Sequence, residues 1–181
     1  MTTHDKSLNG SALWDKTAAA LEHGDFTALD EMLTEANASV IDLLDANGQP
    51  AKYMAEALTW ACFVGRTNVA RELLDRGVDP AAGFGTGMAA FHWAANRGNV
   101  DVVKLLIERG APLEQKNMYD GTVLSCTLWS AIHEHKPEHG AIVRSLVAAG
   151  AEFEDDWLAW WNAQDVPSAE TKTTIAEALR R

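Results

Sequence analysis

Positive charge is scarce in this chain: 15 lysines and arginines stand against 26 acidic side chains, for a formal charge of −11. A surface of that sign disfavours partners that must be neutralised, such as nucleic-acid phosphates or anionic lipid headgroups, so neither is expected. Cysteine is also scarce, with two thiols in 181 residues, which excludes a disulfide-built miniature domain. No apolar run approaches the length needed to span a bilayer, and Met1 to Lys16 lacks a basic stretch followed by an apolar core. A cytoplasmic protein is therefore expected. Nucleophile-elbow, phosphate-loop and zinc-protease motifs are missing. Gly83-Phe84-Gly85-Thr86-Gly87 is glycine-rich but lacks the lysine and the preceding strand of a phosphate loop, so no cofactor is expected.

What the chain does contain is a period. Leu58-Thr59-Trp60-Ala61-Cys62, leading to Gly65, Leu73-Leu74 and Gly77, returns 33 residues later as Phe91-His92-Trp93-Ala94-Ala95, leading to Gly98, Leu105-Leu106 and Gly110. A further shift reaches Leu124-Ser125-Cys126-Thr127-Leu128, and a seven-residue insertion precedes Ile142-Val143, Leu146 and Gly150-Ala151. Self-similarity at this length marks units that bury their apolar faces only by stacking on neighbours.

Within a unit the pattern predicts helix, tight turn, helix and projecting loop. Ala89 to Asn96 is short and rich in small residues, and Val100 to Arg109 is apolar at helical spacing. Gly110 ends the second helix, and Pro112, Asn117 and Asp120 suit an extended loop or hairpin. Upstream, Phe26 to Glu35 pairs with a helix that Ser11 is placed to cap, followed by a long loop from Ala36 to Ala51. Downstream come an aromatic helix at Trp157 and a second from Ser168. The expected layout is one domain over residues 1–181. It comprises an N-terminal capping unit (11–50), repeats at 51–83, 84–116 and 117–156, and a C-terminal capping unit (157–181).

These motifs resemble the ankyrin repeat, most closely at Ala89-Ala90-Phe91-His92-Trp93-Ala94-Ala95 through Gly98 to Gly110-Ala111. Three of four positions of the family's Thr-Pro-Leu-His opening differ there, with His92 kept, and Ser125 stands where the third repeat would carry histidine. Strong resemblance runs over residues 51–156, and the whole is most similar to small stand-alone bacterial ankyrin proteins. The resemblance implies an all-α solenoid that binds another protein through loop tips and the inner faces of the first helices. Carried across by position, the partner-facing residues include Tyr53, Phe63, Met88, Asn96, Arg97, Met118, Tyr119, Trp129 and Ser130, centred on Tyr53, Phe63, Met88, Arg97, Met118, Tyr119 and Trp129. Large aromatic and thioether side chains suit such a surface. An acidic rim would favour a partner carrying positive charge.

A rival reading is a small-molecule or catalytic pocket of Trp93, Trp129, Trp157 and Trp160, with His92 or Asp156 as acid or base and the long insertions as a roof. By resemblance, His92 instead holds a neighbouring unit's loop. Self-association through Trp157, Trp160 and Trp161 is a third reading. Asp155 or Asp156 is expected to cap the Trp157 helix. His133, His135 and His139 could approach a metal, but Pro137 disrupts helical spacing and no cysteine completes a set, so a solvated loop is expected. Cys62 and Cys126, two stacked units apart, are too distant for a disulfide.

Overall fold

The computed structural model describes residues 10–49, 51–83 and 87–180, and among them the secondary structure is eleven α-helices with no strand. They are α1 (Gly10–His23), α2 (Phe26–Glu35), α3 (Val40–Ala46), α4 (Ala51–Val64), α5 (Thr67–Asp75), α6 (Ala90–Asn96), α7 (Val100–Glu108), α8 (Val123–His133), α9 (His139–Ala148), α10 (Trp157–Ala163) and α11 (Ala169–Ala178). Ten of them pair in sequence as α1/α2, α4/α5, α6/α7, α8/α9 and α10/α11. First helices stack in the order α1, α4, α6, α8, and second helices in the order α5, α7, α9, α11.

Small and large side chains divide the labour of stacking. Ala57, Ala61, Ala90, Ala94 and Ala95 are fully buried and let inner helices approach closely, while Leu58, Phe91 and Leu124 fill one register position in three successive units. Each such large side chain contributes roughly 1.5–3 kcal/mol by leaving water. On the second helices Leu73, Leu106 and Leu146 are likewise buried, so one core runs the length of the pile.

Three local expectations are revised. The loop from Ala36 to Ala51 carries α3, because the Ser39 hydroxyl accepts from the Asp42 amide at 3.4 Å and Val40, Ile41 and Leu44 are buried. The helix α1 already includes Ser11, which therefore lies within its first turn rather than at its cap. At α10 Asp156 does hold the N-cap position, but its side chain makes no cap hydrogen bond, and the turn is closed by the Trp157 amide on the Glu154 carbonyl at 3.1 Å.

Hydrogen bonds tie consecutive units together at the starts of the second helices α7 and α9. The Asn99 amide nitrogen donates to the carbonyls of Cys62 and Phe63 at 2.7 and 3.0 Å. His139 Nε2 donates to the Asn96 carbonyl at 3.0 Å, and its Nδ1 accepts from the Lys136 amide at 3.2 Å. The histidine insertion is thus solvated only in part: His133, Glu134, Pro137 and Glu138 are exposed, whereas His135 and Lys136 are half-buried. His139 is buried, and His135 lies 3.0 Å from the Thr171 hydroxyl on α11. His133 stacks on Trp129 with ring centroids 4.7 Å apart. Each imidazole has its own partner, and no group of three or more metal-binding side chains converges among the described residues. No helix there is long and apolar enough to cross a membrane.

Candidate functional site

Among the described residues the most exposed large apolar side chains are Met118, Tyr119, Trp129 and Trp160, at 65, 77, 51 and 45%. Three belong to the unit from 117 to 156, where the loop before α8 is built from its own polar groups. Asn117 Oδ1 accepts from the amides of Tyr119 and Gly121 at 2.9 and 3.0 Å, and the Asn117 amide returns to the Gly121 carbonyl at 2.9 Å. This asparagine turn replaces the hairpin pairing that the composition also allowed. Asp120 takes a positive φ of 63° within it. The Met118 amide donates to the Gly87 carbonyl at 2.9 Å, joining the tip to the preceding unit.

His92 secures the same loop from below. Its ring is buried in α6 and Nε2 donates to the Gly121 carbonyl at 3.1 Å. Burial pushes its pKa down, opposed in part by the Gly121 and Gln115 backbones. A neutral imidazole bonding a carbonyl is a positioning element, and His92 lines none of the clefts described below.

Other expected contact residues are already engaged. Tyr53 meets Trp14 edge-on at 5.2 Å and donates its hydroxyl to Glu22 at 2.7 Å. Phe63 sits between Phe26 and Trp93, with centroids 5.5 and 5.1 Å away, and the Arg97 guanidinium covers its face at 4.7 Å. Trp14, Tyr53, Phe63 and Trp93, all half-buried, form an aromatic seam along the inner helices, backed by the buried Phe26 of α2 and with Arg97 as its exposed cover. Met88 is half-buried beside the loop. Asn96 and Ser130 do not face a partner: Asn96 Nδ2 donates to the Ser130 hydroxyl at 2.8 Å and to Glu134 at 3.0 Å, inside the stack.

Trp129, Trp157, Trp160 and Asp156 do come together, lining a cleft of about 440 Å³ between α8 and α10. Trp93 is not part of it. Trp161 is fully buried and donates Nε1 to the Lys172 carbonyl at 3.0 Å, so it cannot join an exposed self-association patch with its neighbours. His133 and Glu154 also line the cleft, and of the two His133 is the one not expected from the sequence. Its signal was position, since His133 follows Trp129 by one helical turn.

Both thiols are unpaired and raised in pKa, Cys62 above the usual thiol range and Cys126 up to about 11, in each case chiefly because burial disfavours the thiolate. Neither has the lowered pKa that activates a cysteine nucleophile.

A family model for ankyrin repeats, in three copies, matches residues 17–120. That span is more than half of the chain, which therefore belongs to the ankyrin-repeat family. Ankyrin repeats generally mediate protein–protein interaction. The match begins inside α1, so the N-terminal unit read from sequence as a cap falls within the family span. It ends before α8, although α8 and α9 stack as a further unit of the same kind.

Proposed function

We propose that this chain is a protein-binding scaffold whose partner lies across loop 117–121, the exposed face of α8 and the rim of the inner helices. The observation that carries the reading is the exposure of Met118, Tyr119 and Trp129 on a backbone held by Asn117 and His92. Such side chains supply much of the free energy of association when desolvated, and a preorganised loop reduces the entropy lost on binding. Tyr53 and Phe63 on α4 and Met88 before α6 extend the surface as half-buried support, with Arg97 exposed beside them.

The partner carries positive charge, because Asp120, Glu134, Glu154 and Asp156 are exposed around these residues on a chain of net charge −11. Affinity capture from a lysate of the source organism, with the wild type and a Tyr119→Ala, Trp129→Ala double variant, tests the reading. Proteins retained by the wild type and lost by the variant, at equal thermal stability, are expected. Identical retention by both contradicts it.

A further inference from the structure

The cleft between α8 and α10 has a structural cause. Fourteen residues (109–122) connect α7 to α8, whereas eight (149–156) connect α9 to α10. The final unit thus has no room for a full projecting loop. Its α11 packs closely on α9, but α10 packs on α11 and stands off from α8. Ser125 widens the opening: it occupies the register of His92, yet is too short to reach the next unit as that imidazole does.

What remains is a recess of particular chemistry. Its walls are Trp129 of α8 and Trp157 and Trp160 of α10, with Glu154 and Asp156 at the connection, and no lysine or arginine among the described residues lines it. A second cleft of about 450 Å³ shares Ser125, Glu154 and Trp157 and extends past Glu152 towards Asp120, where the one lysine, Lys116, is ion-paired with Asp120 at 3.0 Å. Together the two make a continuous groove leading from loop 117–121 to the end of the stack.

An anion would meet two carboxylates there, and a neutral apolar group would leave their field unused. A cation on an apolar stem matches both wall types: indole faces attract cations, and carboxylates bond ammonium or guanidinium groups. The volume lies at the lower end of ligand cavities, appropriate to one long side chain.

We propose that the α8–α10 cleft receives a lysine or arginine side chain from an extended segment of a basic partner protein. The stem lies against Trp129 and Trp160 and the charge beside Glu154 and Asp156. This deepens the partner reading above, on which the source of the side chain rests, by naming what the end of the surface selects.

The test is a titration of the full chain with Nα-acetyl-arginine methylamide, followed by the indole N–H signals in two-dimensional NMR. Nα-acetyl-norleucine methylamide serves as the uncharged control. Saturable shifts at Trp129, Trp157 and Trp160 are expected at millimolar probe, with Trp60 and Trp161 unmoved and the norleucine derivative silent. A Glu154→Gln, Asp156→Asn variant, changed only at exposed side chains, is expected to bind about tenfold more weakly. Silence of the three indoles, an equal response to norleucine, or undiminished affinity in the variant would each overturn the proposal. Because the probe needs no partner, such a failure is distinct from a failed capture with the Tyr119→Ala, Trp129→Ala variant.

Discussion

Asn99 and His139 occupy one position in successive units: a 33-residue repeat plus the seven-residue insertion separates them, and each side chain donates back to a carbonyl near the end of the preceding inner helix. Two residue types thus perform one mechanical task, fastening a unit to the one before it. Replacing Asn99 by alanine leaves the Cys62 and Phe63 carbonyls short of a donor and is expected to cost about 1–3 kcal/mol. His139→Ala should act in the same direction, and His139→Asn should recover part of the loss. Urea midpoints of the three variants check this; an Asn99→Ala midpoint equal to wild type would contradict it.

The histidine in that position adds a dependence on pH. Burial lowers the pKa of His139 and of His92 below the ordinary 6.5, so both are neutral in the fold and take up protons more readily when unfolded. Below about pH 6.5 the unfolded chain binds the extra protons, and stability must fall with pH until the folded-state values are passed. Unfolding midpoints at pH 7.5 and 5.5 should therefore differ in the wild type. The difference should shrink in His139→Asn, and an unchanged difference would remove His139 from the explanation.

Gly83 turns at a φ of 93°, and a Cβ there would collide with the Thr59 hydroxyl. Both backbone strain and overlap oppose a side chain, so Gly83→Ala is expected to destabilise by roughly 2–4 kcal/mol. Adding Thr59→Ala relieves the overlap and leaves the strain. The double variant should accordingly be more stable than the sum of the single effects, as a double-mutant cycle in denaturant would read. Strict additivity would show that the two residues do not meet.

Steering by the acidic rim is separable from contact energy. With a captured partner, raising salt should slow association more than it speeds dissociation, since long-range attraction between exposed charges is screened. An association rate indifferent to salt would place the recognition energy in the apolar contacts alone.

The stack itself was legible because its causes are periodic. Leu58, Phe91 and Leu124 recur at one spacing, and glycine turns recur with them. Features that break the period were harder to read. The helix at Val40 to Ala46 was hidden by its neighbouring Asn47-Gly48 turn, although Ser39 and the apolar spacing of Val40, Ile41 and Leu44 were its signal. The insertion disguised His139 as a loop residue, when its alignment with Asn99 placed it inside the stack. The cleft at Trp129 and Trp157 depends on how far α10 stands from α8. No local pattern encodes that distance, which follows from the short connection before α10.

Hydrogen–deuterium exchange of the chain with and without its captured partner tests the central claim most directly. Slowed exchange at residues 117–133 and 154–163, with the outer helices α5 and α7 unaffected, is the predicted footprint. Protection confined to α5 and α7, with loop 117–121 exchanging as in the free chain, would contradict the account.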